Sequence, residues 1–135
     1  SMSLKAPFEE VPSSLSAIQA RWKTAVLSNA DDDYLIPTIR RIGVEFQAVL
    51  SSEMIRAYKP HPAGFHSILK ALGVRAEETV YVGDNQFDDV LGSQRVGMRA
   101  VWINRYNAKL DSRLPMPDAE VTDLTELVDI LERWE

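Results

Sequence analysis

Apolar residues in this chain form short runs that alternate with amphipathic segments. The runs have the length of buried strands, and the last of them is the weakest: residues 25–27, 48–50, 80–82, 100–103 and 119–121. Strands of this kind, each followed by a helix, predict a parallel sheet covered on both faces. We therefore expect an α/β fold, a three-layer Rossmann-like sheet with helices on either side.

The intervening segments carry apolar residues at helical spacing. A first helix is predicted from Val11-Pro12 through Trp22, and the others occupy residues 31–42, 62–72, 88–96 and 123–131. Glycines follow several of these patterns, as they do at helix ends. Asp123 and Glu126 have the spacing of a capping box before the last helix. Residues 104–117, polar and proline-containing, predict a loop.

Polar residues follow three of the predicted strands directly. They are Ser28-Asn29, Ser51-Ser52 and Gly83-Asp84. In an open parallel sheet the carboxyl ends of the strands line the crevice where ligands bind. We therefore expect the functional site at these three positions, with Gly83 allowing a tight turn and the close approach of a ligand.

Three carboxylates surround the end of the strand at residues 80–82. Asp84 follows the strand, and Asp88 and Asp89 begin the next helix, so that one of them can return beside Asp84. Converging carboxylates repel each other unless a cation lies between them, and Mg2+ needs only one or two of them besides water and substrate oxygens. Alternatively, Asp88 and Asp89 only complement the helix dipole.

Two further groups are candidates for contact with an anion. Ser28 and Asn29 can offer a hydroxyl and a backbone N–H, or they cap the following helix. Lys59 precedes two prolines in YKPHP, which stiffen the segment and can preorganise its charge, although an isolated loop lysine is more often simply solvated. We interpret His61 and His66 as structural residues.

The composition excludes several classes of function. The net charge is −5 and there is no basic cluster, which argues against nucleic acid and anionic membranes as partners. The absence of cysteine removes disulfides and thiolate chemistry, and it is compatible with the cytoplasm, where we expect the protein. No segment has the length of a membrane span or the features of a signal peptide.

Taken in order, the segments AVLSN (residues 25–29), YKPHP (58–62) and GDNQFDDVLGSQRVGM (83–98) resemble the second, third and fourth motifs of the haloacid dehalogenase superfamily. The resemblance covers nearly the whole chain. It implies that Ser28 bonds the transferring group, that Lys59 neutralises its charge, and that Asp84 ligates Mg2+. Asp89 registers best as the second acid, with Asp88 as the alternative.

The resemblance leaves the reaction open between two classes. Phosphatases of the superfamily bind Mg2+ through the Gly-Asp acid, whereas 2-haloacid dehalogenases need no metal and typically lack that acid. Asp84 therefore favours a phosphatase, and the substrate would be a small phosphorylated or halogenated molecule.

One expected motif is missing. The family nucleophile is an aspartate at the end of a strand upstream of the second motif, yet no aspartate precedes Asp31. We therefore interpret residues 1–4 as left by cloning and residues 5–135 as a partial core without a cap domain, and we expect this chain alone to be inactive. The missing strand would be central, so the open edges must be closed by direct pairing, by another chain or by a homodimer.

Two alternatives to a hydrolase are compatible with the same pattern. A naturally truncated domain of this kind would serve as a non-catalytic binding or assembly module. A different doubly wound nucleotide-binding domain is weakened because neither Gly-x-Gly-x-x-Gly nor a Walker-type loop is present.

Overall fold

The computed structural model describes the backbone of residues 11–135 and the side chains of residues 13–135, so the segment assigned to cloning lies outside the described residues. All five predicted strands are present, and all pairings are parallel, as expected. The strands are β1 Ala25–Ser28, β2 Ala48–Ser51, β3 Val80–Gly83, β4 Arg99–Ile103 and β5 Ala119–Val121.

The strands form two sheets. One contains β1 and β2, with Ser28 opposite Ser51, and the other has the order β3-β4-β5. Within residues 11–135, no strand pairs with both β1 and β3. The interruption expected between the strand that ends at Ser28 and the one that ends at Gly83 is therefore a feature of the structure.

The helices follow the predicted order, with one addition, the short helix Ser52–Ile55, which the sequence did not predict. They are α1 Val11–Gln19, α2 Asp32–Ile42, α3 Ser52–Ile55, α4 Pro62–Leu72, α5 Gly92–Arg95 and α6 Leu127–Arg133. Gly43 and Gly73 end α2 and α4 in the left-handed region, at φ +77° and +67°, where glycine avoids the strain of a side chain. None of the described helices is long and apolar enough to cross a membrane.

Three local predictions differ from the structure. The helix expected over residues 88–96 begins instead as a π-helix, Gln86–Leu91, before α5. Trp22 lies beyond the end of α1. Before α6 the capping pattern is displaced, because Asp123 accepts from the N–H of Thr125 while Glu126 accepts from the N–H of Thr122.

Two of the buried apolar clusters pack helices against strands. The first joins α1, α2 and α6 to the sheet through Ile18, Ile42, Val101, Val121, Leu124 and Leu127. The second packs α4 against β1 through Leu27, Phe65 and Ile68. The helices therefore cover both faces of the strands, and the carboxyl ends of the strands remain available at one edge.

A cavity of about 1100 Å3 lies between the two sheets, at the facing strands β1 and β3. Its walls include Val26 and Leu27 of β1, Val80 and Val82 of β3, and Trp22. These side chains are apolar, and the cavity reaches the strand ends at Asp84.

Candidate active site

The end of β1 is fixed to the loop that carries Lys59. Asn29 accepts a hydrogen bond from the backbone N–H of Lys59 at 2.8 Å and donates to its carbonyl at 3.4 Å. Ser28 is buried, and its hydroxyl oxygen accepts from the N–H of Ala30 at 3.0 Å. The side chain of Asn29 therefore holds the backbone of Lys59, and the Ser28 hydroxyl hydrogen can still be donated to a ligand.

Lys59 is a buried cation. Its Nζ lies 2.5 Å from Asp89 Oδ1 and donates to the hydroxyl of Tyr81 at 3.2 Å. The Tyr81 hydroxyl in turn donates to the carbonyl of Leu27 at 3.2 Å, so the lysine is held between the two sheets. A buried ammonium needs such partners, because the loss of hydration is otherwise costly.

Asp89 is buried because the π-helix turns its side chain back toward β3. One carboxylate oxygen bonds Lys59, and the other accepts from the N–H of Asn85 at 3.0 Å. Burial raises the pKa of Asp89, whereas the ammonium of Lys59 and the N–H of Asn85 lower it. Asp89 is therefore an anion whose known contacts hold the lysine.

Gly83 permits this packing of Asp89. A Cβ at position 83 would lie 2.3 Å from the carboxylate of Asp89, a separation that real structures do not contain. Among the described side chains, that of Asp89 approaches Gly83 closely enough to require a glycine.

Asp84 and Asp88 are the more accessible acids. Asp84 is exposed at the end of β3, and Asp88 is half-buried, with a carboxylate oxygen 3.5 Å from Nδ2 of Asn29. Burial raises the pKa of Asp88, and the carboxylates of Asp89 and Asp84 raise it further, against the opposing effect of Lys59. The negative charge of these carboxylates favours the binding of a cation.

The donor chemistry fits Mg2+. Among the described side chains, no three His, Cys, Asp or Glu residues converge as a metal site, so protein ligands alone would not complete a coordination shell. Mg2+ characteristically uses one or two carboxylates and completes its shell with water and substrate oxygens, which is what Asp84 and Asp88 can offer.

The histidines and the acidic run take structural roles. His61 is the N-cap of α4 and accepts from the N–H of Ala63 through Nδ1, while His66 is exposed on that helix. Asp32 and Asp33 lie in the first turn of α2, and Asp31 is its N-cap residue without a side-chain capping bond. The position of His61 agrees with its interpretation as a structural residue.

Sequence reasoning missed three residues that support the site. Tyr81 bonds Lys59, Trp102 donates from its indole to the carbonyl of Asp84 at 3.0 Å, and Gln86 bonds residues of the loop that follows β4. An aromatic residue in a strand and a lone glutamine carry no motif. Their roles depend on partners far away in the sequence.

Comparison with known proteins gives consistent matches. Haloacetate dehalogenase H-2 of Moraxella sp. (strain B) is 33% identical over 128 residues, covering 93% of this chain and 57% of that protein. Glyceraldehyde 3-phosphate phosphatase of Pyrococcus furiosus is 38% identical over 91 residues, or 65% of this chain and 38% of that protein. The chain thus spans little more than half of these relatives at most.

A solved structure and a family model match the same chain. The crystal structure of a 2-haloacid dehalogenase from Pseudomonas syringae pv. tomato superposes with a TM-score of 0.86 at 34% identity, covering 96% of this chain and 54% of that protein. The family model described as haloacid dehalogenase-like hydrolase matches residues 3–103. The chain belongs to the haloacid dehalogenase-like hydrolases.

Proposed function

We propose that this chain is the core of a Mg2+-dependent phosphatase whose site lies at the ends of β1 and β3. The observation that carries the proposal is the exposed carboxylate of Asp84 beside Asp88, whose pKa is raised by its burial and by the neighbouring carboxylates. A divalent cation would relieve this repulsion, and a phosphate oxygen would complete its coordination. A dehalogenase has no need for such an arrangement.

The contacts of the chain's own residues support the roles that we propose for them. Ser28 would donate its hydroxyl hydrogen to the transferring group, and Lys59 would offset the charge of that group from a position held by Asn29 and Asp89. Asp84 would hold Mg2+ together with Asp88. Asp89 could take the place of Asp88 if its carboxylate contacted both the metal and Lys59. The metal, when bound, would supply electrophilic stabilisation of the phosphoryl oxygens.

The nucleophile would come from outside these 135 residues. The cavity between β1 and β3 supports this inference, because the apolar side chains that these two strands contribute to its lining can pack against an inserted strand that ends beside Ser28 and Asp84. Without such a segment we expect no turnover. Its substrate would be a small phosphorylated molecule, by analogy with the phosphatase relative, and a halogenated acid is the competing class.

The experiment compares this chain with a longer form that carries an upstream strand ending in an aspartate. We expect the longer protein to hydrolyse p-nitrophenyl phosphate with Mg2+ and to lose that activity on Asp84→Asn. The matched control is Asp129→Asn, an exposed acid on α6 that should leave activity unchanged. Halide release from 2-chloropropionate that survives Asp84→Asn and removal of Mg2+ would instead establish a dehalogenase.

A non-catalytic assembly module is the second candidate, and the open cavity is the observation that favours it. Unpaired strand edges readily recruit another chain, so a homodimer closing the cavity is the expected form. Sedimentation equilibrium tests this directly. A stable monomer would argue against the module, and turnover by the unextended chain would contradict the need for an external nucleophile.

A further inference from the structure

Gln86 is the first residue of the π-helix, and its side chain is hydrogen-bonded to backbone groups that are distant in the sequence. The residue is 8% exposed, and its Nε2 donates to the carbonyls of Asp111 and Pro115 at 3.0 and 3.2 Å. Its Oε1 accepts from the N–H of Asp111 at 2.9 Å. The amide therefore uses its acceptor oxygen and both donor directions on one segment of the chain.

That segment is residues 104–117, here termed the β4–β5 segment. Its start is fixed by Asn104, which accepts from the N–H of Ala108 and donates to its carbonyl, both at 2.9 Å. Near its end, Gln94 of α5 donates to the carbonyl of Met116 at 2.9 Å. Gln86 binds the part between these two anchors.

Gln86 itself belongs to residues 84–89, here termed the acid loop, which carries Asp84, Asp88 and Asp89. Trp102 lies in β4, is 5% exposed, and donates from its indole N–H to the carbonyl of Asp84. The acid loop is thus held at Asp84 by the strand that leads into the β4–β5 segment, and at Gln86 by the segment itself. Movement of the segment must be accommodated at one of these two connections.

We propose that Gln86 is a positioning residue that ties the acid loop to the β4–β5 segment, so that the placement of the Asp84 carboxylate, and with it the affinity for Mg2+, depends on that segment. The metal part of the inference rests on the proposed function. The mechanical part does not, because it concerns only hydrogen bonds within the chain.

Gln86→Met is the informative variant, because methionine has a similar length and no hydrogen-bonding amide. Gln94→Met is the matched control, since Gln94 also donates to the β4–β5 segment but makes no recorded hydrogen bond to the acid loop. Three measurements are compared with the parent chain: amide hydrogen exchange, the indole NMR signal of Trp102 assigned with Trp102→Phe, and Mg2+ affinity by calorimetry.

For Gln86→Met we expect faster exchange in both residues 84–91 and residues 104–115, and a shifted Trp102 indole signal. Loss of an outer-shell partner typically weakens metal binding about 10–100-fold; Gln86 acts one step further out, so we expect Mg2+ to bind about 3–10-fold more weakly. For Gln94→Met the exchange changes should stay near residues 116–118, with Mg2+ affinity unchanged.

The outcomes separate the inference from the proposed function. Faster exchange confined to residues 104–115, with an unchanged indole signal, would overturn the linkage. If calorimetry shows no Mg2+ binding to the parent chain, the metal-dependent proposal is contradicted. Hydrogen exchange and the Trp102 indole signal would still test the linkage between the acid loop and the β4–β5 segment. If Gln86→Met fails to fold by circular dichroism, Gln86→Glu, which keeps the acceptor for Asp111 and loses both donated bonds, undergoes the same measurements.

Discussion

The ammonium of Lys59 lies 2.5 Å from a carboxylate oxygen of Asp89, and neither side chain is more than 3% exposed. The two residues belong to different parts of the structure, one preceding α4 and the other in the π-helix. An ion pair this well buried can cost more in lost hydration than it returns, but breaking it leaves an uncompensated charge.

Asp89→Asn should therefore destabilise the chain by about 3–5 kcal/mol. Urea denaturation measures this loss. The companion variant Lys59→Met, alone and combined with Asp89→Asn, completes a double-mutant cycle, and the double variant should be less destabilised than the sum of the single changes. Additive losses would show that the pair is not coupled in solution.

Gly83→Ala should disturb the same ion pair by displacing the carboxylate of Asp89. The added Cβ would overlap the carboxylate of Asp89 at 2.3 Å, and relief of the overlap should cost about 1–3 kcal/mol. Gly43→Ala is the comparison, because its φ of +77° makes alanine strained although nothing lies within 4 Å. In combination with Asp89→Asn, the Gly83 change should be less than additive and the Gly43 change additive.

Gly92→Ala tests the contact between the π-helix region and α4. A Cβ there would lie 2.5 Å from the ring of Phe65 and 3.2 Å from the Cα of Pro60, so we expect a loss of about 1–3 kcal/mol in the free energy of unfolding. A smaller residue at position 65 should relieve the overlap. The loss caused by Gly92→Ala should therefore shrink in a Phe65→Leu background, and an equal loss in both backgrounds would contradict the contact.

Tyr81 should give the stability a pH dependence on the alkaline side. The residue is half-buried, but its hydroxyl lies against Lys59 and the carbonyl of Leu27. Burial, followed by the carboxylates of Asp89, Asp84 and Asp88, raises the pKa of Tyr81 well above its ordinary value. The folded chain therefore retains the phenolic proton more strongly than the unfolded chain does.

The sign of the effect follows from that proton. The contribution of Tyr81 is complete below the unfolded pKa of about 10 and is lost as the pH rises above it. Between about pH 8.5 and about pH 11, the urea midpoint of the parent should fall more than that of Tyr81→Phe. Equal falls would show that the phenol titrates alike in both states.

The sequence alone determined the local elements and their order. Apolar runs marked the five strands, and Gly43 and Gly73 marked the ends of α2 and α4, because strand burial and helix termination depend on near neighbours. The polar residues after β1 and β3 marked the edge where we propose the site, since parallel strands carry their carboxyl ends to one side.

Only the tertiary structure decided what those polar residues bind. Asn29 holds a backbone segment 30 residues away, and Asp89 turns inward to Lys59 because an extra residue in the π-helix changes its direction. Gln86 reaches a segment 25 residues further on. Sequence motifs specify donors and acceptors, but their partners are set by long-range packing, which brings together groups that no local pattern connects.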